Sequence, residues 1–404
     1  MSAANPTAPA PLDPDIARRI AHARDGMLRR TWAVVRLALR MMLHDKAKLV
    51  GTVVGVVFAV LLSAQQLGIL FGLLQKNTMF VDNGRADVWI CPPGTNQLQP
   101  GKRLPQSVLL QARATEGVRT ASALVYQTGS VQRPWGGSEP ISLIGFDLDT
   151  GLGGPWNVVA GDASLLAHPD TMVFEDARRE KMGALNLGSE REVNGYAVQT
   201  AAFTWGLLPF APPYAFGAID LVRAMTKTPS DEQHFVLVAV APGSTPEAVR
   251  DALAQRLPET KVMTRAEFSG TIVKTLLGEQ LGITFGTSTV FGLLIGFIIV
   301  ALSMFSSVLD RLREFGTLKA IGVTNGDLSR LLVVQSIAYA LIGSFFGLGM
   351  VGGIAQGIRS ANLSMIVPWQ LIALTPAVMT TLCILASALA LRRVRKLEPG
   401  MVFR

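Results

Sequence analysis

Four runs of this chain, residues 49–74, 283–309, 331–358 and 366–391, carry no charged residue. Each is long enough to cross a ~30 Å hydrocarbon layer as a helix, which takes about 20 apolar residues. The pattern changes between the first and second runs. Residues 86–90, 122–131, 140–146, 192–201 and 234–240 have strand composition. Residues 105–116 and 246–257 read as helices, the second starting after the cap candidate Thr245. The mixed order predicts an α+β domain with at least one open sheet. The fold class expected is therefore a membrane α-helical protein of four spans. A large α+β extracytoplasmic domain occupies residues 75–282, between spans one and two.

Periodicity also describes the flanks. Residues 1–12 are rich in Ala and Pro and predict disorder. Asp13-Pro14-Asp15 opens a short helix that Gly26 ends. Leu28, Trp32, Val35, Leu39 and Met42 recur at helical spacing, with Arg29, Arg36 and Arg40 expected on an opposite stripe. With a span following at once, this predicts a helix lying in the membrane interface, in contact with lipid, rather than one buried in a soluble domain. Thr264 and Glu267 have the spacing of a capping box. They predict the start of a long helix that descends into the second run; unbroken from Arg265 to about Leu309, it would be roughly 65–70 Å long at ~1.5 Å per residue. Residues 201–218 are apolar but contain Pro209, Pro212 and Pro213, which exclude a regular span. Either they pack as a core loop, or Phe203, Trp205, Leu207, Leu208 and Phe210 form an exposed patch for a lipid-like cargo or partner.

Charge orients the spans. Charged residues make up 16% of the chain and the net charge is +8. Nine Lys and Arg precede the first run, four lie in residues 310–330 and five follow the last run, against Arg359 alone between runs three and four. That bias places both termini and residues 310–330 in the cytoplasm. It accounts for the positive balance, and no zinc-finger or RRM-like pattern points to nucleic acid. Cys91 and Cys383 are too few for a disulfide framework, and His22, His44, His168 and His234 have no metal-ligand spacing and read as surface or loop residues. The Gly101-Lys102 pair is followed by Arg103 and lacks the upstream glycine of a phosphate-binding loop. No serine elbow, HExxH or CxxC occurs, and the runs hold no ionisable Asp, Glu, Lys or Arg. No catalysis and no metal are expected of this chain.

Residues 310–327 read DRLREFGTLKAIGVTNGD. Gly316 permits a bend, residues 317–321 form a turn or two of helix presenting Leu318, Ala320 and Ile321, and Gly322 ends it. Thr324 and Asp327 then start the third span with a capping-box-like pair. Read from the residues alone, a plain hairpin connection and a helix that docks on a partner both stay open.

The run Arg313-Glu314-Phe315-Gly316-Thr317-Leu318-Lys319-Ala320-Ile321-Gly322, followed by a span, resembles the coupling motif of MacB/FtsX-type ABC permeases. The layout is similar as well: interfacial helix, one span, outer domain, three spans and a basic tail. Val57-Phe58-Ala59-Val60-Leu61-Leu62, Gln66-Leu67-Gly68 and Thr317-Leu318-Lys319-Ala320 resemble the DevC-type exporter branch. The resemblance implies a permease homodimer in a bacterial inner membrane, joined to two copies of a separate ABC ATPase that holds the ATP and Mg²⁺. This chain would bind no cofactor. Residues Glu314 to Gly322 would dock on the ATPase and transmit force, and a periplasmic adaptor (a membrane fusion protein) and a TolC-like outer-membrane duct would complete an exporter of an amphiphilic cargo. An FtsX-like regulator of a cell-wall hydrolase and LolC/LolE-like lipoprotein extraction share the layout.

Overall fold

The computed structural model describes residues 32, 34–207, 212–278, 280–310, 316–317, 323–357 and 365–395. Two compact units emerge. One comprises Met1–Ala64, Ser288–Gly352 and Pro368–Arg404, the other Gln65–Thr287 and Gly353–Val367.

Helix α1 covers residues 34–44 and α2 runs Lys46–Asn83. The second unit then supplies β1 (Val88–Cys91), β2 (Leu104–Pro105), α3 (Gln106–Arg113), β3 (Val118–Gln132), β4 (Ser138–Phe146) and β5 (Val158–Gly161). It continues with β6 (Thr171–Glu175), β7 (Glu190–Val193), β8 (Tyr196–Thr204), β9 (Tyr214–Ala218), α4 (Ile219–Thr226) and β10 (Glu232–Gln233). After these come β11 (Phe235–Val240), α5 (Pro246–Arg256), β12 (Lys261–Thr264) and α6 (Arg265–Gly278).

The sheet order β12-β1-β11-β3, all antiparallel, joined as β1-α3-β3 and β11-α5-β12, is a ferredoxin-like βαββαβ arrangement. Alternation along β1 explains how it is covered. Val88 and Ile90 pack with Val108 and Leu109 of α3 and Val249 and Leu253 of α5. Trp89 and Cys91 face the opposite way, into a core with Phe80 of α2 and Phe268 and Ile272 of α6. Phe80 anchors an aromatic cluster, its ring 5.3 Å from Tyr214 and 5.8 Å from Trp156. His234, read from sequence as a surface or loop residue, is fully buried. Its Nδ1 accepts from the Tyr126 amide at 3.4 Å, and burial lowers its pKa to about 4, so it is a neutral core residue.

Between β3 and β11 the chain inserts a second subdomain. β3, β4, β9, β6, β8 and β7 pair in turn, and the single pair Val131↔Val193 closes β7 back onto β3. Period 2 sets the two faces. Val125, Val131, Ile141, Leu143, Phe174 and Phe203 fill the ring, with Val222 and Met225 of α4. Leu124, Tyr126, Ile144 and Phe216 belong to the core shared with Phe80. The expected open sheet is thus half ferredoxin-like layer and half closed ring. The segment read as one strand, residues 192–201, is the β7–β8 hairpin. Its two-residue turn, Asn194-Gly195, has φ +48° and +87°, as a primed turn requires.

The first unit adds α7 (Gln280–Asp310), α8 (Asn325–Gly357) and α9 (Trp369–Arg395). Together with α2 these are four helices long and apolar enough to cross a membrane. Lipid offers no hydrophobic drive for helices to associate, so close packing through small residues does the work. In the first unit α2 packs in this way. A Cβ on Gly55 would collide with Ile299, one on Gly296 with Ala59, one on Gly343 with Val56, and one on Gly347 with Val60. Of the long helix expected from Arg265, α6 and α7 are the described parts, and Glu279 between them lies outside the described residues.

Candidate functional site

The polar ends of α2, α7 and α8 frame residues 310–327. Asp45 accepts from the Lys48 amide at 3.2 Å and so caps α2. Lys48 Nζ pairs with Asp45 at 3.3 Å and also with Asp310, the last described residue of α7. One turn deeper, the Thr52 and Ser303 hydroxyls are in contact, and Ser306 donates to Asp310 at 3.4 Å. These contacts join α2 to α7 where α7 enters the loop. On the far side of the loop, the Asp327 amide donates to Thr324 Oγ1 at 3.2 Å, and Thr324 Oγ1 donates to Asp327 Oδ2 at 2.8 Å. Asp327 is buried and pairs with Arg330 at 3.6 Å. The cap expected from Thr324 and Asp327 is formed.

Helix α1 docks on this end of the unit. Ala38 and Met42 are buried with Leu328, Leu331 and Leu332 of α8, and Gln335 Nε2 donates to the Ala38 carbonyl at 3.2 Å. Trp32, Leu39 and Leu43 are exposed, and so are Arg36 and Arg40. At 100° per residue these share one side of the helix. The expected opposition of Trp32 and Leu39 to the arginines is therefore corrected. The bundle takes the Val34, Ala38 and Met42 face, and the remaining side mixes Trp, Leu and Arg. That mixture suits a bilayer interface, where arginine stems lie along apolar surface and their heads reach water. Arg29 lies outside the described residues.

Of the predicted coupling residues, Gly316 is buried and Thr317 exposed, both helical. Glu314, Phe315, Leu318, Lys319, Ala320, Ile321 and Gly322 lie outside the described residues. Lys48, Asp310 and Gln335 were not singled out by the sequence reading. The visible signal was two opposite charges at the ends of two different apolar runs.

The expected patch in residues 201–218 does not form as one exposed surface. Phe203 is fully buried inside the strand ring with Arg179 over its face at 5.1 Å, and Leu207 is buried, because strand alternation and a carboxylate pull both inward. Trp205 is exposed, and Leu208 and Phe210 lie outside the described residues. The carboxylate is Glu175, fully buried at the end of β6. It accepts from Thr204 Oγ1 at 2.9 Å, the Gly206 amide at 2.7 Å and the Leu207 amide at 3.2 Å. Lys76 of α2 donates to the Gly206 carbonyl. Burial raises the pKa of Glu175 despite these bonds. No group of three or more potential metal ligands occurs among the described residues.

Residues 286–399, which hold most of α7, residues 310–327, α8 and α9, match the family described as FtsX-like permease C-terminal. The chain carries an FtsX-like permease domain. An uncharacterized ABC transporter permease of Mycobacterium tuberculosis is 32% identical over 108 residues, 26% of this chain and 30% of that protein. The uncharacterized ABC transporter permease YknZ of Bacillus subtilis is 32% identical over 102 residues, 25% of this chain and 24% of YknZ. The matched stretch thus spans under a third of either relative. Among solved structures, the extracellular domain of YknZ matches 44% of this chain at 12% identity and a TM-score of 0.33. The periplasmic region of MacB from Actinobacillus actinomycetemcomitans matches 48% at 10% identity and a TM-score of 0.36.

Proposed function

We propose that this chain is the permease subunit of an ABC transporter of the MacB/FtsX kind, with ATP hydrolysis carried out by a separate cytoplasmic subunit. The FtsX-like match over residues 286–399 carries the reading, because it contains the loop and the helices that flank it. Lys and Arg at the span ends put both termini and that loop inside the cell, in the inner membrane of a bacterium. Residues Glu314 to Gly322 receive force from the ATPase and do no chemistry. ATP-driven closure of two ATPase copies on a permease homodimer is passed to the outer domain, which drives an amphiphilic cargo outward through an adaptor and an outer-membrane duct.

The test uses the full chain with its ATPase in nanodiscs. Glu314→Ala should lower permease-stimulated ATP hydrolysis while the complex still forms, and a cysteine replacing Thr317 should cross-link to the ATPase. Unchanged stimulated hydrolysis together with no cross-link through the ATP cycle would refute the assignment.

A further inference from the structure

A cavity of about 290 Å³ opens beside the end of α2, within the second unit. Phe146, Leu148, Pro155 and Leu166 form its apolar wall; among the described residues no acidic one lines it, and Arg85 is its one charged residue. Arg85 is conspicuous for two independent reasons. Its φ is +58°, a left-handed conformation that a glycine would adopt without strain and an arginine does not. Its side chain is exposed at the cavity mouth, and its guanidinium makes no hydrogen bond or ion pair among the described residues. The acids close to it in sequence are engaged elsewhere: Asp82 accepts from Ser269 at 2.7 Å and Asp87 from the Val240 amide at 3.0 Å. Asp147, next to the wall residue Leu148, accepts from the Asp149 amide at 3.1 Å.

The surrounding backbone is held in place around this cation. The Gly153 amide donates to the Gly84 carbonyl at 2.9 Å, which ties the loop under the cavity to the end of α2. A Cβ on Gly154 would press on the Phe146 ring at 2.8 Å, so the wall is closely packed. We infer that this cavity is a binding site for a small anionic amphiphile, whose carboxylate or phosphate head pairs with Arg85 and whose apolar tail lies against Phe146, Leu148 and Leu166. An apolar recess with one polar anchor is the usual composition of a small-molecule site. A planar guanidinium suits both head groups through paired hydrogen bonds.

The test is equilibrium dialysis of radiolabelled octanoate against the full chain in phosphatidylcholine nanodiscs, with empty nanodiscs as the partition blank. Saturable binding is expected, displaced by octyl phosphate but not by octyltrimethylammonium. Arg85→Gly should weaken it about tenfold or more, the loss of a charge-assisted bond, and Arg85→Lys should restore part of it. Leu148→Asp, at a partly exposed wall position, should weaken it as well. Arg85→Gly should unfold at the same or a higher temperature than the parent, since the backbone strain is relieved. Equal binding by Arg85→Gly, displacement by octyltrimethylammonium, or displacement by inorganic phosphate as effective as by octyl phosphate overturns the inference. So does a lower unfolding temperature for Arg85→Gly, which would make the arginine structural. No ATPase is present, so a negative result leaves the transport reading standing.

Discussion

Replacing Glu175 by alanine removes the acceptor of three hydrogen bonds at once. The Thr204 hydroxyl and the amides of Gly206 and Leu207 lose their partner at 2.9, 2.7 and 3.2 Å; Thr204 and Leu207 are buried and do not regain water readily, while Gly206 is half-buried. Breaking a buried, charged network of this kind costs about 3–5 kcal/mol in general. Here the parent site already carries a desolvation penalty large enough to raise the pKa of the carboxyl, so the net loss belongs at or below the lower end, about 2–3 kcal/mol. Lys76 still donates to the Gly206 carbonyl, which confines the damage to residues 204–207. Hydrogen exchange of the full chain in nanodiscs reads this locally. The Gly206 and Leu207 amides should exchange roughly 30- to 150-fold faster in Glu175→Ala, while those of β1 and β11 keep their protection. If the two amides exchange at the parent rate, Glu175 does not hold this segment.

The same residue sets a pH dependence. A carboxyl whose folded pKa is raised contributes stability that is fully present below the unfolded value of 4.5 and is lost as pH rises through the folded value. The Glu175→Gln variant should therefore flatten part of the fall in unfolding temperature that the parent shows above pH 4.5. At the helix contact, Gly343→Val drives a side chain into Val56 and should lower stability by about 1–3 kcal/mol in a detergent unfolding series, whereas Gly349→Val, with open space around it, should not. Gln335→Leu deletes the buried bond to the Ala38 carbonyl and should cost about 1 kcal/mol. The assay is quenching of Trp32 fluorescence by brominated lipid, which should change as α1 loosens from α8. Unchanged quenching would mean that the Ala38 and Met42 packing alone holds the helix.

Much of the architecture was legible because it is written in local patterns. The apolar runs appear as α2, α7, α8 and α9. The caps at Thr245, Thr264 and Thr324 form with the partners their spacing predicts: Thr245 accepts from the Ala248 amide at 3.3 Å, and Thr264 and Glu267 exchange bonds of 2.9 and 3.2 Å. The strands that escaped are those without alternation. All five residues of β6 are buried, so period 2 has no polar phase to show. Strand β9 lies within the proline-interrupted apolar stretch and emerges only where Tyr214 meets Ser142 of β4.

What the local pattern could not carry is closure between distant segments. Val131↔Val193 turns a meander into a ring, and nothing in either strand's periodicity specifies the other. The same holds at the framing site, where Lys48 and Asp310 stand 262 residues apart. The charge of each was visible in the sequence, and its partner was not. In the proposed orientation both sit at one membrane face, since Lys46 and Lys48 before the first run and Arg311 and Arg313 after the second follow the same charge bias. Asp310 is the exception in that basic surround. The Lys48 ammonium pairs with it across from α2. The acid's place in that surround is therefore explained by pairing across to α2.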